Sequence, residues 1–273
     1  SHACSEKTDS FRKFGFLYGN IRNNLSWLYT FRTNASFNRE KLYDYFPLGS
    51  FFCRRIMHLF YKTVFPKKRY EENLDNLAFP DWDILPLEKY YKINNPHGSP
   101  ARRIPYLPMI TSRGCHFKCI FCSVHNLWGN NYRKRSAENV LRELDYLAHR
   151  LGVREVLFED DNFTFDRERA KKIFRGIIDK RLDIAWSTPN GIALHTLDDE
   201  LLELMKASGC YSISVGIESG DEFVLRNIIE KPVVLSKVNP VIDKAKRLGL
   251  ETTAFFVVGF PGEDQTHISN TFR

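Results

Sequence analysis

A chain of 273 residues with 43% apolar side chains is long enough for one large domain or two small ones, and it can bury a core of its own. It has no run of about 18 apolar residues and no basic-then-apolar leader, so neither a membrane span nor a secretory signal is expected, and a cytoplasmic location is. The net charge of +7 is spread over short clusters such as Lys67-Lys68-Arg69, Arg102-Arg103 and Arg133-Lys134-Arg135. These read as solvated faces that favour small anionic ligands rather than as a nucleic-acid footprint.

Residues 1–75 are aromatic and basic, from Phe11-Arg12-Lys13-Phe14 through Phe51-Phe52-Cys53 to Phe60-Tyr61, and they show no period that assigns a fold. Within them, 56–65 reads either as a basic amphipathic helix on a membrane surface or as a helix packed on the core. Residues 76–104, with Ala78-Phe79-Pro80-Asp81-Trp82-Asp83 and the prolines of Asn95-Pro96 and Ser99-Pro100, read as a linker lying across the core.

From 105 to 273, short apolar runs alternate with amphipathic patterns, the signature of repeated βα units on a parallel sheet. Strands are expected at 107–112, 155–159, 184–187, 211–216 and 252–258. Ser136 caps a helix with the stripe Val140, Leu144, Leu147 and Leu151, ended by Gly152. Asp166 opens a second, with Ile173, Phe174, Ile177 and Ile178 inward and Arg167, Glu168, Arg169, Lys171 and Lys172 in solvent. A third runs over 198–207, closed by Ser208-Gly209. A fourth covers 236–248, closed by Gly249, with Pro240 early in it, where a missing amide hydrogen does least damage. Five strands with right-handed crossovers give an open, curved sheet or partial barrel whose ligand site lies at the carboxyl ends of the strands. The last residues, Thr271-Phe272-Arg273, fall in the first turns of a helix, so the chain reads as cut there and a sixth strand is expected beyond it.

Every chemical motif falls at one of those strand ends. Of six cysteines, Cys4, Cys53 and Cys210 are scattered, whereas Cys115, Cys119 and Cys122 crowd into Ser112-Arg113-Gly114-Cys115-His116-Phe117-Lys118-Cys119-Ile120-Phe121-Cys122. Clustered thiols of this kind point to a metal rather than to a disulfide framework. A structural zinc normally takes a second ligand pair, which is absent here; His125 as fourth ligand keeps a three-Cys, one-His zinc site open. A four-iron cluster on three thiolates leaves one iron exposed to an outside ligand, which implies chemistry rather than electron transfer alone.

The second strand runs into Phe158-Glu159-Asp160-Asp161-Asn162-Phe163-Thr164, an acidic group that needs a cationic partner if buried, unless one of its carboxylates caps the following helix. The fourth ends in Val215-Gly216-Ile217-Glu218-Ser219-Gly220, with glycines that allow close backbone approach. The fifth ends in Val258-Gly259-Phe260-Pro261-Gly262-Glu263, either a plain Pro-Gly turn or one whose backbone groups face a ligand. Asn190-Gly191 follows the third.

The cysteine spacing, with Phe121 just before the third cysteine at the end of a first strand, resembles the defining motif of the radical S-adenosylmethionine superfamily, over about residues 105–273. The resemblance implies an α/β fold, a partial parallel (β/α) barrel with five of six units present. It implies a [4Fe-4S] cluster on Cys115, Cys119 and Cys122 that chelates S-adenosylmethionine and splits it reductively to a 5′-deoxyadenosyl radical, with electrons from a donor such as flavodoxin or ferredoxin. Phe121 would pack near the adenine, and Asp160 and Asp161 would accept from the ammonium. Glu218 and Ser219 would meet the ribose and methionine, and Gly259, Phe260, Pro261, Gly262 and Glu263 would form the adenine-binding turn. Asn190 would face the pocket.

Pro80-Asp81-Trp82, Tyr90-Tyr91 and the Phe-Glu-Asp-Asp-Asn-Phe-Thr string look like the branch with an amino-terminal cobalamin-binding domain, which includes methyltransferases and enzymes of tetrapyrrole and lipid modification. Residues 1–75 hold no Asp-x-His-x-x-Gly cobalamin loop, and His116 stands where many relatives have proline. The expected function is therefore a radical enzyme acting on a small or lipid-like metabolite, with cobalamin an open question. The alternatives are a transfer-RNA-modifying enzyme akin to methylthiotransferases and a non-catalytic iron-sulfur or zinc module.

Overall fold

The computed structural model describes residues 70–273. The unassigned stretch 1–69, with both readings of 56–65 and the Lys67-Lys68-Arg69 cluster, lies outside the described residues. The chain divides into two compact units, residues 1–70 with 125–127 and residues 71–124 with 128–273. The elements below belong to the second unit, except that 125–127, in the middle of the short helix Val124–Trp128, belong to the first.

Residues 71–104 hold three single turns of 3-10 helix and the helix α1 (Leu87–Ile93). Leu74 is buried and Trp82 and Leu87 pack on the main core, so the expected linker belongs to this unit. Five strands follow: β1 (Tyr106–Met109), β4 (Glu155–Phe158), β5 (Ala185–Ile192), β6 (Cys210–Glu218) and β7 (Glu251–Phe256). They lie parallel and side by side in chain order. A two-residue antiparallel ribbon, β2 (Ser112–Arg113) with β3 (Arg133–Lys134), stands outside the sheet, and the short helix α2 (Val124–Trp128) falls between its strands. Four helices make the crossovers: α3 (Ala137–His149), α4 (Arg167–Asp179), α5 (Asp199–Ala207) and α6 (Val238–Arg247). A last one, α7 (Gln265–Thr271), follows β7.

Local chemistry explains the helix starts. The side chains of Ser136, Asp166 and Asp198 accept from the backbone N–H groups of Asn139, Arg169 and Leu201, satisfying donors that a helix leaves orphaned. Val140, Leu144 and Leu147 of α3, Ile173 and Phe174 of α4, and Leu201, Leu202 and Met205 of α5 are all buried against Val156, Phe158, Trp186, Ile213 and Val215 of the sheet. Aromatic rings fill the centre of this layer. Phe174 stacks on Trp186 at a centroid distance of 5.0 Å, and Trp186 Nε1 donates to Ser208 O at 3.0 Å, so the indole is buried with its polar edge satisfied.

Four expectations change. The first strand ends at Met109 rather than 112, because Ser112 leaves the sheet to start the ribbon. The third strand runs on to Ile192, past the expected end at 187, and the fifth stops at Phe256. Arg133, Arg135 and Arg169, read as solvated, are 5%, 8% and 5% exposed. Each guanidinium is buried because it has acceptors to meet. Arg133 donates to Glu71 O at 2.9 Å and Trp128 O at 2.8 Å, Arg135 pairs with Glu143, and Arg169 donates to Arg135 O at 2.6 Å and Thr111 O at 2.8 Å. Among the described residues no helix is long and apolar enough to cross a membrane.

Candidate active site

The carboxyl ends of β1, β4, β5 and β6 open on one cavity of about 360 Å³. Cys115, Cys119 and Cys122 line one wall, with Phe117 and Phe121 between them; Asp161, Asn190, Gly216 and Glu218 line the others. The thiols are half-buried and none is in a disulfide. Burial pushes Cys115 and Cys119 up, away from the thiolate, while the Lys231 ammonium nearby pulls both down.

The loop that carries them is fixed at several backbone points. The β2–β3 ribbon closes its base. Gly114, at φ +89°, turns the chain into it, and a Cβ there would meet Asn131 O at 2.4 Å. Ile120 N donates to Ile229 O at 3.2 Å and Cys122 N to Cys119 O at 3.0 Å.

The expected cofactor residues separate into groups. Asp161 lines the cavity and accepts from Gly114 N at 2.9 Å. Asp160 does not reach the cavity: it is 1% exposed and accepts from Thr111 N at 3.0 Å, from Thr111 Oγ1 at 2.7 Å and from Ser112 Oγ. The helix cap weighed for this acidic pair is supplied by Asp166 instead. Asn190 lines the cavity and donates to Glu159 O at 2.9 Å. Glu218 is 7% exposed, sits at φ +70°, and pairs with Lys231 at 2.6 Å.

Ser219 is fully buried and turned away, accepting from Asp221 N at 3.1 Å and meeting Thr271 Oγ1 at 3.2 Å. The turn of Gly259, Phe260, Pro261, Gly262 and Glu263 is closed on itself, because the Glu263 carboxylate accepts from Gly259 N at 2.5 Å and Phe260 N at 2.7 Å. Those amides are therefore not open to a ligand. The turn reaches the cysteine loop through the Phe260 ring, 5.5 Å from that of Phe121, which is 45% exposed rather than buried.

Among the cavity-wall residues given no role from sequence are Phe117, Asn162, His195 and Lys231. Asn162 is 2% exposed, and its Nδ2 has no acceptor among the described residues, the kind of buried donor that asks for a ligand oxygen. His195 packs edge-on to Phe117 at 4.8 Å, and burial, with Arg167 and Lys231 adding to it, holds its pKa below the ordinary histidine value. Lys231 follows an irregular π-turn (Val224–Ile228), where periodicity gives no signal.

Cys115, Cys119 and Cys122 line one cavity, and a four-iron cluster takes each thiolate on a different iron, so the donor set fits such a cluster. Among the described residues no group of three His, Cys, Asp or Glu side chains surrounds a single ion position.

A family model described as the Radical SAM superfamily matches residues 109–273. The chain is 37% identical over 194 residues to the cytidylyl-2-hydroxyethylphosphonate methyltransferase of Streptomyces wedmorensis, covering 69% of this chain and 35% of that protein. It is 32% identical over 208 residues to an uncharacterized methyltransferase of Pyrococcus horikoshii, covering 76% and 43%. This chain thus spans well under half the length of either relative. Its fold matches that of the radical S-adenosylmethionine methyltransferase TsrM from Kitasatospora setae, solved with tryptophan substrate and an S-adenosylmethionine analogue, at a TM-score of 0.61 and 17% identity over 74% of this chain and 38% of that one. Three cysteines at this spacing, on the loop after the first strand of a parallel α/β sheet, and a family match over residues 109–273 place the chain in the Radical SAM superfamily.

Proposed function

We propose that residues 105–273 form the catalytic core of a radical enzyme that cleaves S-adenosylmethionine reductively and acts on a small or lipid-like metabolite, with methyl transfer the favoured outcome. The observation that carries this reading is the cavity itself, which Cys115, Cys119 and Cys122, the only cysteines lining it among the described residues, share with Asp161 and Glu218. The similarity to two methyltransferases supports the choice of methyl transfer. No feature of the cavity favours transfer RNA.

Cys115, Cys119 and Cys122 would hold the [4Fe-4S] cluster. When bound, the cluster supplies one electron to break the sulfonium bond of S-adenosylmethionine. The chain's own contribution is placement and exclusion. Phe117, Phe121 and Phe255 bring apolar surface to the cavity and limit access of water to a reactive carbon centre. Asp161 offers a carboxylate oxygen, Asn162 a donor, and the Glu218–Lys231 pair both signs of charge. Methyl transfer would bring in cobalamin as a further cofactor, as in the cobalamin-bound methyltransferase TsrM of Kitasatospora setae. A flavodoxin or ferredoxin in the cytoplasm is the proposed electron source.

The test is anaerobic reconstitution of the chain, followed by iron and sulfide analysis and electron paramagnetic resonance with and without S-adenosylmethionine. The expected result is a [4Fe-4S] signal that shifts on adding S-adenosylmethionine, and release of 5′-deoxyadenosine under a reductant. Cys115→Ala, Cys119→Ala and Cys122→Ala should each abolish the signal, whereas Cys210→Ala, a fully buried core residue, should keep it. Full cluster loading in any of the three variants would sink the assignment.

A further inference from the structure

The acidic string after β4 holds two adjacent carboxylates, and each accepts hydrogen bonds from the segment that carries the cysteines. The Asp160 side chain spends both oxygens on the segment leading into the cysteine loop: Oδ2 accepts from Thr111 N at 3.0 Å, and Oδ1 accepts from Thr111 Oγ1 at 2.7 Å and from Ser112 Oγ. Thr111 and Ser112 are 0% and 1% exposed. Water does not compete for these bonds. Arg169, from α4, donates to the carbonyl of the same Thr111 at 2.8 Å, and its positive charge favours the ionised Asp160. Asp161, one residue on, accepts from Gly114 N at 2.9 Å, immediately before Cys115.

The geometry points to a role for this pair as a clamp that positions the cysteine loop, with Asp160 gripping its approach and Asp161 its first turn. The inference rests on the cluster-binding function proposed above and deepens it. Asp160 and Asp161 are positioning residues that act through Thr111, Ser112 and Gly114, on a loop whose thiols would be the ligands. A preorganised loop matters because three thiolates must be presented at once, and each loose degree of freedom weakens the hold on the cluster.

The number of bonds at each carboxylate makes the clamp testable. Asp160 serves three donors with two oxygens, so Asp160→Asn turns an N–H₂ toward at least one of them and breaks the grip. One Asp161 oxygen accepts from Gly114 N, and Asp161→Asn keeps an oxygen for that bond, whereas Asp161→Ala removes it. A residue whose task was instead to accept from the ammonium of S-adenosylmethionine would show no effect without S-adenosylmethionine.

The experiment uses the full reconstituted chain without S-adenosylmethionine and follows iron release to a ferrous chelator. Asp160→Asn and Asp161→Ala should lose iron at least about tenfold faster than the unsubstituted chain, the size expected for one charge-assisted hydrogen bond, and Asp161→Asn should stay within about twofold. In the cluster-free chain, trypsin reads the same clamp by cleavage after the exposed Lys118. Cutting should accelerate in Asp161→Ala and not in Asp161→Asn, at unchanged melting temperature. Unaltered iron release and cleavage in Asp161→Ala, or equal acceleration in Asp161→Asn, would overturn the clamp. An unsubstituted chain that takes up no iron defeats the proposed function instead, and the tryptic pattern still decides the clamp.

Discussion

Glycine 216 shows how much of the site depends on one missing atom. A Cβ there would meet Glu218 Oε1 at 2.6 Å and Lys231 Nζ at 2.7 Å, so the ion pair occupies space that only glycine leaves open. Glu218 also sits at φ +70°, a left-handed conformation that disfavours a branched backbone carbon by roughly 1–2 kcal/mol, and its bond to Lys231 helps hold it there. Gly216→Ala is expected to displace the pair and weaken S-adenosylmethionine roughly tenfold to hundredfold, with iron content unchanged, as calorimetry on the reconstituted chain would show. His195 gives a pH signature. Its folded pKa lies below the unfolded value near 6.5, so the stabilising contribution of the neutral ring is present above about pH 6.5 and is lost as pH falls toward the folded pKa, where the unfolded chain already binds the proton. The melting temperature of His195→Gln should therefore gain on that of the unsubstituted chain between about pH 7.5 and 5.5. A constant difference across that range would remove His195 as the source.

At the level of elements, what was legible in the sequence was what has a period or a cap. Ser136, Asp166 and Asp198 start their helices as caps do, and the apolar stripes of α3 and α4 face the sheet. The β2–β3 ribbon was not legible, since strands of two residues carry no alternation, and its existence follows from tertiary bonds at Thr111 and Arg135. Nor was the pairing of Glu218 with Lys231, separated by an irregular turn. Arg169 failed for a different reason: it lies four residues before Ile173, on the buried face of α4, but a count of apolar side chains alone assigns it to solvent. Its position makes the two kinds of contact separable. Ser136→Ala removes one cap bond and should cost about 1 kcal/mol. Arg169→Met leaves the buried carbonyls of Arg135 and Thr111 without their donor and removes a positive charge that favours the Asp160 carboxylate, and should cost about 3–5 kcal/mol. Urea denaturation of the cluster-free chain distinguishes them, and equal losses would mean that Arg169 gives Asp160 and the two carbonyls no such support.

Across the whole molecule, the two edges of the sheet are treated differently. At β1, residues 71–104 bring Trp82 and Leu87 onto the core and set Tyr91 edge-on to Tyr106 at 5.6 Å. At the far edge, β7 pairs only with β6 among the described residues, and Phe255, Phe256, Val257 and Val258 are each at least 40% exposed. Parallel sheets are ordinarily covered on both faces, and an apolar edge with unpaired backbone groups is a template for another chain. The 273-residue chain is therefore expected to self-associate through β7. Phe255 also lines the active-site cavity, so the informative substitution is its neighbour: Phe256→Lys places a charge on the edge, away from the cavity wall. Sedimentation velocity should show the unsubstituted chain forming concentration-dependent oligomers and Phe256→Lys moving toward monomer, with cluster loading retained. If both sediment alike, the association, or its absence, has nothing to do with this edge, and the exposed apolar strand is tolerated as it stands.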